Sequence, residues 1–301
     1  LGVIGLRHKI KKSNSSEERT AFLMLLPFFL LFTLFILIPI FYNLVLSFTN
    51  FNLRTMDFVG LRNYINLFKD NLFLMALKNT LIYTFFTVIL VTIISFFLSV
   101  MLNKNSYIVK IARSAIYVPH VTSMVAVSMI WLWLYEPLGG VFNQVLSLFG
   151  ISAQKFLLNS STALMCIIVM SVWKSVGYNM VLFLAGLQGV PQSLYEAAEI
   201  DGAGAWQKIK GITLPMLQPV IFFVLTTNII NSFNVFESVS IMTNGGPLNS
   251  TTTLVHQIYT RSFGEYQAGY GAAIAIVLCI LMLTFITICM KKFMYQETDL
   301  S

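Results

Sequence analysis

The stretch YEAAEIDGAGAWQKIKGITLP, residues 195–215, gathers three carboxylates, two lysines and seven alanines and glycines. It does so in a chain that is 57% hydrophobic and only 10% charged. Before it lies an apolar run from about Thr162 to Leu187, and after it another from Pro215 to about Met242. A helix rises about 1.5 Å per residue, so roughly 20 apolar residues cross the roughly 30 Å of hydrocarbon in a bilayer. Both flanks are long enough. The polar island therefore reads as an extramembrane link between two membrane-crossing helices.

Further out the pattern repeats. Apolar runs extend from Ala21 to Phe48, from about Phe73 to Leu102, from about Ser114 to Tyr135 and from about Tyr270 to Met290. With the flanks of the island they make about six spans, the island joining the fourth to the fifth. Strands of a closed barrel would alternate apolar and polar positions over short segments. These runs are continuously apolar, so the expected class is an all-α polytopic membrane protein. A mean hydropathy of +0.78 agrees, as do 26 Phe and 14 Met in 301 residues. Soluble domains carry roughly 25% charged residues. TNGGP at 243–247 closes the fifth run with turn-forming residues. The first run, with Pro27 and Pro39 inside it, far exceeds the roughly 7 to 15 apolar residues of a signal-peptide core and reads as a retained helix. The chain begins at Leu1 and not at Met, so some N-terminal sequence is expected to be missing.

Basic residues set the orientation. Arg7, Lys9, Lys11, Lys12 and Arg19 precede the first run; Lys104, Lys110 and Arg113 follow the second; Lys208 and Lys210 sit in the island; Lys291 and Lys292 follow the sixth. All four groups fall on one side of a six-helix count, which the positive-inside rule makes the cytoplasm. The other side carries Arg54, Arg62 and Lys69, then Lys155 and Arg261. The expected organisation is a cytoplasmic basic tail over 1–20, a transmembrane domain over 21–292 with the loop 191–215, and a cytoplasmic tail over 293–301. The net charge of +7 thus marks topology and not nucleic-acid binding. The cluster RHKIKK at 7–12 reads as a topogenic anchor or a contact to anionic membrane lipid.

Catalytic motifs are missing. The chain contains no Gly-Lys dipeptide, hence no phosphate-binding loop of the Gly-x-x-x-x-Gly-Lys-Ser/Thr type, and neither His-Glu-x-x-His nor Gly-x-Ser-x-Gly occurs. His8, His120 and His256 lie in separate segments without metal-ligand spacing, and Cys166, Cys279 and Cys289 sit in or at the end of apolar runs as small hydrophobes. No metal site and no cofactor on this chain is expected, and a membrane enzyme ranks last among the functional classes.

The island itself predicts two short helices. Ser193 and Glu196 have the spacing of a capping box after Pro191, Asp201 and Gly202 supply a break, and a second helix spans about Ala203 to Lys210. Gly211 and Pro215 then separate it from the fifth span. Leu194, Ala197 and Ala198 form an apolar strip on the first helix, and Trp206 and Ile209 on the second. One reading is a hairpin resting on lipid headgroups, which a Trp would favour. The small residues Ala197, Ala198, Gly202, Ala203 and Gly204 point instead to close docking in a protein cleft.

The pattern Glu196-Ala197-Ala198, three residues, Gly202, nine residues, Ile212-x-Leu214-Pro215 resembles the EAA loop of permease subunits of bacterial binding-protein-dependent ABC importers. FVGLRNYINLF at 58–68, YVPHV at 117–121 and NGGP at 244–247 resemble segments of the carbohydrate-uptake branch, of the maltose and glycerol-3-phosphate type. The resemblance covers about residues 20–292. It implies the permease fold of type I ABC importers and a bacterial cytoplasmic-membrane location with both termini cytoplasmic. It also implies a loop that inserts into a cytoplasmic ATPase subunit, with Glu196, Ala197, Ala198, Gly202, Ile212, Leu214 and Pro215 as coupling residues and Asp201 beside them in the turn. The implied partners are a second, related permease, two ATPase subunits carrying ATP and Mg, an extracytoplasmic binding protein and a sugar, expected to be an oligosaccharide. Outer loops at about 50–72, 136–161 and 243–269 would receive the binding protein.

Substrate contacts must then come from polar residues within the fourth and fifth spans. Charges inside a membrane are functional candidates because they are costly to bury. Lys174 lies in the fourth span and Glu237 in the outer part of the fifth, either paired or each solvated in a water-filled cavity. Around them stand Trp173, Gly177, Tyr178 and Asn179, and on the fifth span Asn228, Asn231, Ser232, Phe233, Asn234 and Phe236. Amides and hydroxyls suit sugar hydroxyls, and aromatic faces suit the apolar face of a pyranose. Asn228, Asn231 and Val235 share a helix face. The competing role for such Asn and Ser residues is hydrogen bonding between helices. Trp131 and Trp133 read as interfacial belt or packing. Two other functions remain open at this point: an autonomous secondary transporter or channel, and an ABC permease for a non-sugar solute such as glycerol phosphate or a polyamine.

Overall fold

The structure, a computed structural model, describes residues 15–298. Among them all regular structure is helical, and strand pairing is limited to one antiparallel bridge between Thr49 and Phe58. Four helices are long and apolar enough to cross a membrane: Phe22–Leu46, Asn71–Met101, Ala163–Gln188 and Ala268–Lys291. Two bent helix pairs raise the number to six if each pair is one span. The basic cluster at 7–12 lies outside the described residues.

The first span joins α1 (Ser15–Phe32) to α2 (Ile38–Leu46) through a wide π-turn at Thr33–Leu37. Pro39 follows closely on that turn and lacks an amide donor inside the continuous helical run, and the helix is widened just before it. A short helix, α3 (Arg62–Leu67), leads to α4 (Asn71–Met101), whose N-terminus is capped by Asp70 accepting from Leu72 N at 2.8 Å. The same carboxylate accepts from Arg261 at 3.0 Å and from the Tyr270 hydroxyl at 2.9 Å, which ties this end of α4 to the last span. The buried face of α4 carries Thr80, Thr84, Thr87, Ser95 and Ser99. Small polar residues at helical spacing let backbones approach, and Ser95 donates to Val176 O of α8 (Ala163–Gln188) at 3.0 Å.

The third run, read as one helix over Ser114–Tyr135, is two: α5 (Tyr107–Val121) and α6 (Met124–Leu134) meet at 100° across Thr122 and Ser123. Pro119 removes an amide donor just before the break, which weakens the helix there. At the far end, α7 (Val141–Leu148) is held by Asn143, which donates to Pro137 O at 3.1 Å and Gln154 O at 3.0 Å.

The fifth run also departs from a single helix over Pro215–Met242. Its long part, α12, spans Gln218–Phe233, residues 234–236 leave the helix, and α13 covers Glu237–Met242. The chain then turns through Asn244 (φ 48°) and Gly245 (φ 82°) into α14 (Leu254–Tyr259), a π-turn at Thr260–Gly264 and α15 (Ala268–Thr298). His256 serves this turn, with its ring nitrogens 3.3 Å from Asn244 Oδ1 and 3.1 Å from Thr252 Oγ1.

Three apolar clusters hold the bundle. One centres on Trp131, Tyr135, Ile167 and Met170 between α6, α8 and α13. A second joins Phe73, Phe233, Leu254 and Ile274 across α4, α12, α14 and α15. A third, Phe96, Phe183, Leu187, Leu217 and Val224, lies beneath the polar island. Trp131 is thus core, packed on Trp173 at 5.5 Å, whereas Trp133 is exposed.

Gly177 sets the crossing of α5 and α8: a Cβ there would stand 2.1 Å from Ile116 O and 2.8 Å from Tyr117 Cα. Gly177→Ala should cost about 1–3 kcal/mol through overpacking against backbone. Gly211→Ala, with nothing within 4 Å of the added carbon, should leave stability nearly unchanged. Thermal unfolding of the detergent-solubilised protein checks both.

Candidate functional site

Where the two bent spans come together the chain leaves a polar cavity of ≈ 530 Å³ between α4, the α5–α6 bend, α8 and the α12–α13 break. Helix breaks in a bilayer must satisfy the backbone groups they free, because hydrocarbon offers no hydrogen bonds. At the first break Lys174 does this. Its ammonium has three donors, and they reach Pro119 O at 3.1 Å, His120 O at 3.0 Å and Thr122 O at 2.6 Å. A cation at a helix C-terminus also meets the negative end of the helix dipole. At the second break Thr253 Oγ1 donates to Val235 O at 3.0 Å.

Of the two arrangements open to Lys174 and Glu237, paired or apart, the structure has them apart. Ion pairs among the described residues are Lys208–Glu199, Arg261–Asp70 and Arg261–Glu265. Lys174 has turned to the α5 carbonyls, and Glu237 stands exposed at the start of α13, attracting Lys174 without touching it.

Most of the sequence-derived candidates converge. Lys174, Tyr178, Asn179, Asn228, Asn231 and Ser232 line the cavity, as do Phe236 and Glu237. Asn228 and Asn231 share that wall at helical spacing, and Val235, already past the end of α12, joins them from the break. Trp173 and Gly177 do not line it: the indole packs on Trp131, and the glycine lies in the crossing with α5.

The asparagines divide by function. Asn228 donates to Asn179 Oδ1 at 2.9 Å and Asn179 to Asn228 Oδ1 at 3.4 Å, and each also donates to its own i−4 carbonyl. Both amides are buried and their donors are used, so they lock α8 to α12 at the cavity floor. Asn231 and Asn234 are exposed to the cavity; Asn231 makes no hydrogen bond among the described residues, and Asn234 spends one donor on Ile230 O at 3.0 Å.

Several lining residues were not singled out from sequence. His120, from YVPHV, stacks on Tyr178 at 4.6 Å and 15°. Tyr83 and Thr87 enter from α4, and Ser171 and Ser175 from α8. Each pair is one helical turn apart, so polar side chains at i and i+4 within apolar runs were the available signal.

The polar island is a hairpin at the opposite end of the bundle from the Asp70 network. Its first arm, α9, spans Gln192–Ile200, with Pro191 and not Ser193 at the cap position. Ser193 already lies inside the first turn, so the Ser193–Glu196 box is not made. At the second arm one half of such a pair is present, Gly204 N donating to Gln207 Oε1 at 2.6 Å; a glycine has no side chain to return it. That arm starts at Ala205, not Ala203: α10 (Ala205–Lys208), a π-turn (Ile209–Thr213) and α11 (Leu214–Met216) run on. Gly211 and Pro215 do not interrupt it. The break falls at fully buried Leu217, and the arm meets α12 at 71°.

The turn between the arms has a C-terminal capping geometry. Ala203 N donates to Ala198 O at 2.8 Å and Gly202 N to Glu199 O at 3.1 Å, with Gly202 at φ +77°. No atom lies within 4 Å of a Cβ built at Gly202, so the backbone angle alone explains the glycine there. Lys208 and Glu199 join the arms at 2.7 Å, and this hydrogen bond holds the Glu199 carboxyl below its ordinary range. Tyr195 and Thr213 meet at 3.0 Å at the base. Of the loop positions, Glu196, Ala197, Asp201, Gly202 and Pro215 are exposed, whereas Ala198, Ile212 and Leu214 are half-buried. Ile200 is 87% and Trp206 64% exposed, so the hairpin presents apolar surface.

Long apolar helices broken around a polar cavity, with an exposed hairpin feeding one of them, define a membrane transport subunit. The chain belongs to the family of binding-protein-dependent transport system inner membrane components, matched over residues 93–298. It is 38% identical over 281 residues to the arabinooligosaccharides transport system permease protein AraP of Bacillus subtilis (strain 168), covering 92% of this chain and 89% of that one. It is 34% identical to the sn-glycerol-3-phosphate transport system permease protein UgpA of Yersinia pestis, covering 75% and 77%. Its fold matches, at a TM-score of 0.81 and 25% identity over 91% of this chain and 93% of the other, a crystal structure of a bacterial alginate ABC transporter in complex with alginate pentasaccharide-bound periplasmic protein.

Replacing Lys174 by Met keeps the side chain's reach and deletes its donors. Lys174→Met should destabilise the protein by about 1.5–3 kcal/mol, the range for hydrogen bonds to a charged group. Lys174→Arg should retain most of that. Denaturation of the purified protein measures the difference.

Proposed function

We propose that this chain is one of two membrane subunits of an ATP-driven importer for an oligosaccharide, and that its cavity is half of the substrate path. The hairpin at 191–215 is the docking element for a cytoplasmic ATPase subunit. The observation that carries this reading is the continuity of the hairpin with the cavity wall. Its return arm runs through buried Leu217 into α12, which bears Asn228 and Asn231. A displacement of the hairpin would therefore be delivered to the site by one helix.

The relatives supply the rest. The family depends on a binding protein, and AraP transports arabinooligosaccharides by name. By that likeness the complete importer has a second permease, two ATPase subunits holding ATP and Mg, and an extracytoplasmic binding protein; this chain does no catalysis. The excess of Lys104, Lys110, Arg113, Lys208 and Lys210 at the hairpin end supports placing that end and both termini in the cytoplasm of a bacterium. The basic tail over 1–20, the domain over 21–292 and the tail over 293–301 follow that orientation. Coupling contacts come from Glu196, Ala197, Ala198, Asp201 and Gly202, with Ile212, Leu214 and Pro215 fixing the return to the membrane. Substrate contacts come from Tyr178, Asn231, Ser232, Phe236 and Glu237.

Gly202 is a poor test position because any side chain there strains the backbone. Ala197→Trp adds bulk on the exposed face of α9 without that strain. In the assembled importer in proteoliposomes it should reduce substrate-stimulated ATP hydrolysis and uptake at least about tenfold, the factor for 1.4 kcal/mol of lost coupling. Wild-type rates would sink the docking assignment. Asn231→Ala should raise the KM for uptake; unchanged kinetics would remove Asn231 from the path.

A further inference from the structure

The named relatives handle both uncharged and anionic substrates, and the cavity has features that choose between them. The charged group of an anionic substrate, a phosphate or a uronate carboxylate, offers acceptors only and needs free donors, above all cationic ones. The lining contains no arginine and a single lysine. All three donors of that lysine are directed to carbonyls of Pro119, His120 and Thr122. Releasing one to a substrate would uncover a carbonyl at the end of α5. The ammonium is thus a structural cation.

Glu237 is the opposite case. It is exposed in the cavity, and among the described residues its carboxylate has no hydrogen bond or ion pair. It would repel an anion and can accept from a sugar hydroxyl. Asn231 and the second donor of Asn234 can give to hydroxyl oxygens, and Phe236 and Tyr178 offer ring faces. The remaining titratable groups of the lining are Tyr83, Tyr178 and His120, the last two stacked on each other. A polyamine would need several carboxylates, and one stands here beside a fixed ammonium.

We infer that this half of the path is specific for uncharged glycans and rejects phosphorylated and uronate ones, with Glu237 as the discriminating residue. The inference rests on the sugar-importer reading above. The test presents the assembled importer, in nanodiscs and without its binding protein, with an equimolar panel of neutral trisaccharides (arabino-, malto- and xylotriose) and oligouronates (trigalacturonate and trimannuronate). Saturation-transfer NMR reads which ones contact the protein. At least one neutral trisaccharide should show about fivefold or more the signal of the oligouronates, since like charges brought together disfavour a partner strongly. Glu237→Gln should narrow that ratio about threefold, and Glu237→Lys further. Oligouronate signals equal to or above the neutral ones would overturn the inference while leaving a sugar importer. An unchanged ratio in Glu237→Gln would remove Glu237 as discriminator. Signal from none of the panel would instead overturn the oligosaccharide reading itself.

Discussion

The arrangement depends on how a backbone can be broken inside hydrocarbon. An unpaired carbonyl or amide there costs several kcal/mol, so every interruption needs a partner. The α5–α6 bend has Lys174 on three carbonyls, and the α12–α13 break has Thr253 on Val235 O. The two breaks face the same space, and the cavity is the consequence. Without the lysine the carbonyls of Pro119, His120 and Thr122 would lose the side-chain donor that they share.

A second consequence is a short mechanical route. The hairpin is internally tied by Glu199–Lys208 and by Tyr195–Thr213, so it can move as a unit. Leu217, packed with Phe96, Phe183 and Leu187, joins it to α12. A Cβ on Gly186 would lie 2.7 Å from Leu217 Cδ2 and 2.8 Å from Val220 Cγ2, which shows how closely α8 follows that joint. Higher up, the Asn179–Asn228 amide pair binds the same two helices at the cavity floor. In the proposed role, movement of the hairpin would reach the cavity through α12, which this pair ties to α8.

Much of this was legible from the residues. Six apolar runs, the polar hairpin between the fourth and fifth, and the cluster from Lys174 to Glu237 could be read from hydropathy and spacing. The bends could not, because Met124–Leu134 and Tyr107–Val121 are each apolar enough to continue one another and only a weak signal, Pro119, precedes the break. Lys174 was visible as an intramembrane charge, but its partner was not: a search for opposite charges finds Glu237, whereas the real acceptors are carbonyls, which every residue has. Trp173 looked like a site residue because it precedes Lys174, yet a helix points successive residues about 100° apart; Gly177 shares the face of Lys174 but lies against the backbone of Ile116 and Tyr117. Gly202, besides its proposed place among the coupling contacts, has a local reason in its left-handed turn.

The central claim is that the space between the two broken spans is a water-accessible path whose access is governed through the hairpin. Cysteine accessibility tests it most directly: Asn231→Cys, in an importer whose Cys166, Cys279 and Cys289 are replaced by Ala, treated with a membrane-impermeant maleimide from each side. The account predicts labelling from one side in the nucleotide-free importer and from the opposite side when ATP is trapped on the ATPase subunits. A cysteine that stays unlabelled from both sides in both states would contradict it.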